Sequence, residues 1–176
     1  MSEVIYVEAQ EDVRTARRPY PTFKVFLAGG ITGCQDWQAE VVARLKLLVG
    51  YGKDICPNIL LMNPRRANFP IHDPNAAPEQ IKWEYSHLRQ ADAISFWFAP
   101  ETVQPIVLFE YGYWLGEHKP LIVGCDPAYP RRQDVLIQTG LARPGLAIYS
   151  SLEDVCSGII YEAIKLYGGE VKRLQK

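Results

Sequence analysis

The stretch FKVFLAGGITG at residues 23–33 is the most informative about the fold, because an apolar run passes directly into a turn that contains three glycines. The run at residues 23–28 predicts a buried strand, and a helical pattern begins soon afterwards. Glycines at such a turn let the backbone approach a ligand closely, although a tight turn with positive φ would also need them. The turn lacks the GxGxxG spacing of dinucleotide sites and the Lys-Ser/Thr pair of a P-loop, which argues against binding of NAD or ATP phosphates.

Apolar runs and helical patterns alternate along the rest of the chain. Further strands are predicted at residues 59–62, 93–98, 121–123 and 147–149, with an additional edge strand at residues 4–8. The helical patterns fall at residues 36–49, 78–91, 105–117, 132–141 and 152–167. This alternation predicts an α/β fold with a doubly wound, parallel, five-stranded sheet that has helices on both faces. Ligands of such sheets bind beyond the carboxyl ends of the strands.

Composition narrows the classes of partner. With 176 residues and 48% hydrophobic content, residues 1–176 are expected to form one domain. A net charge of −1 with mixed signs offers no basic surface to nucleic acid polymers or anionic membranes, so small uncharged ligands fit better. The four cysteines form no CxxC pair and the three histidines have no ligand spacing. We therefore expect reduced thiols, a cytoplasmic protein and no metal.

Two glutamates interrupt apolar stripes on predicted helices. The stripe of the helix at residues 105–117 is Ile106, Phe109, Tyr113 and Trp114, and that of the helix at residues 78–91 is Ile81, Tyr85 and Leu88. Glu110 lies within the first stripe and Glu84 within the second, so we expect both glutamates to face the core. A buried carboxylate needs either a partner or a use.

Such a pair of carboxylates fits glycosyl transfer with retention. One carboxylate attacks the anomeric carbon, and the other gives and takes a proton, when their environments separate their pKa values. The alternative is a structural role, in which Arg65, Arg89 or backbone donors neutralise the two glutamates as buried pairs.

Several segments together resemble one enzyme family. They are LAGGITG followed by a tryptophan four residues later, NPRR, WEYSHLRQADAISFWF, ETVQPIVLFEYGYW and YPRRQDVLIQ. From about residue 23 to residue 138, the chain resembles the nucleoside 2-deoxyribosyltransferase family. The resemblance implies a flavodoxin-like fold and a glutamate that attacks C1′ of a 2′-deoxynucleoside.

The resemblance also assigns roles to individual residues. It implies that Glu110 is the nucleophile and that Glu84, where the family often has aspartate, protonates the departing base. It implies that Asp134 reaches the site of a neighbouring subunit in a homo-oligomer. It implies no metal and no organic cofactor.

The chain departs from the family pattern where the substrate would bind. Gln104 stands where one branch has a base-contacting aspartate, and Phe26 replaces a tyrosine on the first strand. The aromatic pair after the glycines falls at Ile31 and Thr32, which leaves Trp37 or Trp97 to stack on the base. The expected substrate-binding residues are Gly29, Gly30, Ile31, Trp37, Trp97, Thr102 and Gln104.

The expected function is transfer of 2-deoxyribose between nucleobases through a covalent deoxyribosyl–glutamate intermediate. The first alternative is an N-glycoside hydrolase of deoxynucleosides or of their 5′-monophosphates. The second is a nucleotide-binding module without turnover, which would have little reason to retain two costly buried carboxylates.

Overall fold

The computed structural model describes residues 2–11, 21–50, 56–70 and 72–174, and these residues form one six-stranded sheet with helices on both faces. The strands are β1 (Val4–Glu8), β2 (Thr22–Gly29), β3 (Asn58–Asn63), β4 (Ala93–Phe98), β5 (Leu121–Cys125) and β6 (Ile148–Tyr149). The helices are α1 (Trp37–Gly50), α2 (Ala76–Gln90), α3 (Pro105–Leu115), α4 (Arg132–Ala142) and α5 (Leu152–Leu174). The flavodoxin-like α/β class expected from the sequence is confirmed.

Every strand pair in the sheet is parallel, and the strand order is β1-β3-β2-β4-β5-β6. The additional edge strand is confirmed, because β1 pairs with β3 in register from Val4 opposite Ile59 to Glu8 opposite Asn63. Strands β3, β4 and β5 are buried along their whole length, as their continuous apolar runs predict for strands covered on both faces.

The two faces of the sheet carry different helices. Helices α1 and α5 pack on one face, where Leu45 and Ile159 are fully buried, and helices α2, α3 and α4 pack on the other. Strand β2 continues into α1 and its neighbour β4 continues into α3, so the two connections leave toward opposite faces. A crevice therefore opens beyond the carboxyl ends of β2 and β4, which is where ligands of doubly wound sheets bind.

The prediction that the apolar stripes of α2 and α3 face inward is wrong, because most of their residues are exposed to solvent. Those exposed to solvent are Ile81 and Tyr85 on α2 and Ile106, Phe109 and Tyr113 on α3. The buried faces are instead formed by Trp83 and Leu88 and by Val107, Tyr111, Trp114 and Leu115. Both helices carry large apolar residues around much of their circumference, so periodicity did not determine their rotation.

The remaining predicted boundaries differ by a few residues. The largest difference is at the last helix, which continues to Leu174 instead of ending at residue 167. The described part of the chain contains no helix of the length and apolar character that a membrane crossing requires.

Candidate active site

A cavity of about 380 Å³ lies at the crevice between β2 and β4. Its walls come from β2 and the turn that follows it, from Pro64, from α2, from the loop between β4 and α3, and from the start of α3. The residues predicted from the sequence that line it are Gly29, Gly30, Ile31, Glu84, Thr102, Gln104 and Glu110. The fold thus brings seven of the ten predicted site residues to one cavity.

The glycines of the first turn are required by close packing. A Cβ on Gly29 would lie 2.5 Å from the Trp37 ring and 2.6 Å from the Trp97 carbonyl oxygen. A Cβ on Gly30 would lie 2.4 Å from the Cys34 sulfur. Of the three glycines in the turn, only Gly33 has a positive φ, at 73°. The turn therefore needs Gly29 and Gly30 for space, and the backbone there forms a thin wall of the cavity.

Gln104 connects the two loops that frame the cavity. It adopts the left-handed conformation, with φ 54° and ψ 61°, directly before Pro105 opens α3. Its Oε1 accepts a hydrogen bond from the Gly30 amide at 3.0 Å, and its Nε2 donates to the Ala99 carbonyl at 2.7 Å and the Thr102 carbonyl at 3.2 Å. Both ends of the amide are thus occupied within the protein. Gln104 lines the cavity, but its polar atoms hold the walls together.

The two glutamates lie on facing helices and are each partly buried. Burial and, to a smaller extent, the negative charge of Glu84 together raise the pKa of the Glu110 carboxyl to about 7. Burial also raises the pKa of Glu84, while a hydrogen bond from Gln80 acts in the opposite direction. The negative charge of one ionised carboxylate in such a place favours the protonated form of the other.

The arginines that could have neutralised these glutamates have other partners. Arg65 lies 3.4 Å from Asp36 and donates to Gln38 and to the carbonyls of Gly30, Cys34 and Gln35. Arg89 lies over the Tyr85 ring and donates to the Tyr113 hydroxyl. Among the described residues that line the cavity, none carries a positive charge. In the described part of the chain, neither Arg65 nor Arg89 therefore forms the ion pair with Glu84 or Glu110 that the structural alternative requires.

The two tryptophans expected to stack on the base lie elsewhere. Trp37 and Trp97 are buried in the core on the α1 and α5 side of the sheet, and both border a different cavity of about 480 Å³. The indole Nε1 of Trp37 donates to the Gly30 carbonyl at 3.0 Å, so this side chain supports the glycine turn from behind. The apolar lining of the cavity comes instead from Phe26, Ile31 and the start of α3.

Asp134 is also apart from the glutamates within one chain. It lies in the first turn of α4, forms an ion pair with Arg131 at 3.0 Å, and borders a groove between α3 and α4. Its expected contribution to a neighbouring subunit's site stays a prediction.

Gln80 is the site residue that sequence reasoning missed. Its side chain contacts both Pro64 and Glu84, and it lies one helical turn before Glu84 on α2. Residues four apart share a helix face, so this spacing was a usable signal.

Comparison with protein families identifies the family of this chain. Residues 22–129 match the family model described as Nucleoside 2-deoxyribosyltransferase like. That range is more than half of the chain, and the chain belongs to this family. Comparison with curated proteins gave no match.

Proposed function

We propose that this protein transfers 2-deoxyribose between nucleobases, with Glu110 as the nucleophile. The observation that carries the proposal is the pair of partly buried glutamates in a cavity whose described lining has no positive charge. Glu110 is the one of the two whose pKa lies near 7, so both its ionised and its protonated forms are accessible at neutral pH. Family membership supplies the class of substrate, a nucleoside.

The chemistry follows from the two carboxylates. The ionised Glu110 attacks C1′, the bond from C1′ to the base nitrogen breaks, and the Glu84 proton passes to that nitrogen. The product is an ester between the sugar and Glu110, with Glu84 left ionised. An incoming base then attacks C1′ and gives its proton to Glu84, while the bond from C1′ to the Glu110 oxygen breaks. This leaves Glu110 ionised and restores the pair. The Glu110 carboxylate stabilises the positive charge that develops on the sugar, so the proposed reaction requires no metal and no organic cofactor.

The cavity wall assigns the remaining roles. Gly29, Gly30 and Ile31 allow the substrate to lie against the backbone of the turn, and Thr102, whose hydroxyl lies 3.4 Å from the Cys34 sulfur, offers a polar group to the same cavity. Gln104 keeps both rims in place and is not proposed as a contact to the base, because its amide is fully engaged. Trp37 and Trp97 are likewise left out of the binding site.

The charge of the cavity favours a nucleoside over its 5′-monophosphate. Two carboxylates in a poorly hydrated site repel a dianion, and no Lys, Arg or His is present among the described lining residues. A phosphate usually takes such cations as its partner. The start of α3 also lines the cavity, but Pro105 at the first position of this helix has no N–H to donate. We therefore propose an unphosphorylated deoxynucleoside as the donor substrate. We also propose that the reaction serves nucleoside salvage in the cytoplasm and that a single domain carries it out.

We also propose that the active form is a homo-oligomer. Phe109 is 75% exposed and Ile81 is 64% exposed, and they share the outer surface of α2 and α3 with other exposed apolar side chains. Arg89 lies 4.8 Å from the Tyr85 ring on this surface, and arginine with tyrosine is typical of protein interfaces. Exposed Ile106 belongs both to this surface and to the cavity lining, so a second copy seated there would reach the cavity mouth.

Incubation with deoxyinosine, with and without adenine, tests the proposed reaction. Deoxyadenosine formed only when adenine is present supports the transferase. Hypoxanthine and free deoxyribose, formed equally with or without adenine, would point to the hydrolase instead. Binding of deoxyinosine without any product would point to a binding module.

A further inference from the structure

Gln80 fixes the hydrogen-bonding role of Glu84. Its Nε2 lies 2.7 Å from the Pro64 carbonyl oxygen and 2.8 Å from the Glu84 Oε1. A carbonyl oxygen accepts hydrogen bonds and never donates them, so the contact with Pro64 requires the nitrogen of the amide on this side. The same nitrogen faces Glu84. The Glu84 oxygen must therefore be the acceptor, and a carboxylate that accepts a hydrogen bond is favoured in its ionised form.

The two glutamates differ in this respect. In the described part of the chain, no hydrogen bond or ion pair reaches the carboxylate of Glu110, and the charge that acts on it is that of Glu84. Glu84 in turn is affected by burial and by Gln80. The other described lining residues, from β2, its turn, Pro64 and the loop before α3, carry no ionisable side chain. When the pair holds one proton, the structure places it on Glu110 and leaves Glu84 ionised.

This charge distribution matters for the covalent intermediate. In the empty site, the pair is a neutral Glu110 beside an ionised Glu84, with a total charge of −1. After the first half-reaction, Glu110 is a neutral ester and Glu84 is again ionised, because its proton has left with the base. The empty site and the intermediate thus have the same charges at the same positions. Before attack, the shared proton has to move from Glu110 to Glu84, and from there it passes to the base.

We propose that Gln80 is a positioning residue that holds Glu84 ionised and thereby stabilises the charge state of the covalent intermediate. The ionisation of Glu84 follows from the hydrogen bonds of Gln80, whereas its effect on the covalent intermediate rests on the proposed function. Gln80 also links Pro64, which lines the cavity, to α2 through a hydrogen bond. The hydrogen bonds of this one side chain therefore hold the cavity wall in place and determine which glutamate carries the proton.

A titration of the glutamate side-chain carboxyl carbons by NMR tests the assignment without any turnover. Signals of Glu84 and Glu110 are identified from Glu84→Gln and Glu110→Gln proteins. In the unaltered protein, Glu84 should ionise at lower pH than Glu110. Gln80→Leu removes the hydrogen-bond donor at similar size. In this variant the Glu84 step, which is the pH at which Glu84 ionises, should move up by about one pH unit, because this corresponds to the free energy of a hydrogen bond to a charged group. In Gln80→Lys, which keeps a donor and adds a positive charge, it should move down.

Gln90→Leu, at an exposed position of the same helix, is the matched control and should leave both steps in place. Circular dichroism establishes that each variant is folded. If Gln80→Leu does not fold, Gln80→Lys decides the question through the direction of its shift. A Glu84 step that stays in place in the folded Gln80 variants would overturn the assignment.

The acid limb of kcat/KM against pH, measured for deoxyribosyl transfer, should move in the same directions as the Glu84 step. A side chain that only supports the wall would lower the rate at every pH without moving this limb. If the titration shifts as expected but the protein transfers no deoxyribose, the assignment of Gln80 stands and the proposed function fails. If transfer occurs with an unmoved limb and an unmoved titration, the function stands and the assignment fails.

Discussion

Replacing Glu110 by glutamine is expected to stabilise the folded protein by an amount that grows with pH. Folding raises the pKa of this carboxyl from 4.5 to about 7, because the site is buried and Glu84 is close. A carboxyl with a raised pKa binds its proton more tightly in the folded state, so its ionisation opposes folding. The cost is absent below pH 4.5, grows as the pH rises, and is complete above pH 7. Glutamine does not ionise and avoids this cost.

The magnitude follows from the pKa shift. At about 1.4 kcal/mol per pKa unit, the shift from 4.5 to about 7 corresponds to at most roughly 3.5 kcal/mol, and partial access of water to Glu110 reduces this to about 1–3 kcal/mol. The assay is denaturant unfolding of the Glu110→Gln and unaltered proteins at a series of pH values from about 4.5 to 8.5. The readout is how the difference in free energy of unfolding between the two proteins changes with pH. The difference at a single pH is not used, because burial of glutamine has a pH-independent cost of its own. Glu117→Gln, an exposed position just beyond α3, is the control. A stability difference that stays constant over this range, or a control that rises equally, would refute the reasoning.

Three further outcomes are expected. Glu84→Gln should slow departure of the base by about 10²- to 10⁴-fold, and least for bases that leave readily without a proton, whereas an equal loss for all bases would mean that Glu84 only positions the substrate. Gly30→Ala should abolish activity and lower the unfolding midpoint, because its Cβ would lie 2.4 Å from the Cys34 sulfur, while Gly140→Ala, whose Cβ meets nothing within 4 Å, should be tolerated. Mixing inactive Glu110→Ala with inactive Asp134→Ala should restore part of the activity after subunit exchange, and no recovery would contradict a site shared between subunits.

The sequence determined the order of the elements well, because strands covered on both faces have continuous apolar runs that alternate with longer helical patterns. It predicted β4 with the bounds that the structure has, and even the edge strand β1. Both glutamates line one cavity, as expected for a catalytic pair, although the apolar stripes used to argue their orientation were wrong. The carboxylates face a crevice at the end of the sheet and not the apolar core.

What the sequence could not supply depends on conformation and on contacts between distant residues. The left-handed backbone of Gln104 sets where α3 begins, and no local pattern indicates it. The placement of Trp37 behind Gly30 depends on how α1 packs on the sheet, so an aromatic close in sequence to the turn was mistaken for a ligand contact. The contact of Gln80 with Pro64 joins residues 16 positions apart in the sequence, a distance at which no helical or strand periodicity predicts a contact.

Mass spectrometry of the protein quenched during reaction with a 2′-fluoro-2′-deoxynucleoside tests the central claim most directly. The electron-withdrawing fluorine destabilises the positive charge that develops at C1′, which slows both half-reactions and lets the intermediate accumulate. We expect one added sugar per chain, mapped by peptide sequencing to Glu110, and its loss when a nucleobase is added. An adduct on Glu84 or elsewhere, or substrate consumption by unlabelled protein at every quench time, would exclude Glu110 as the nucleophile.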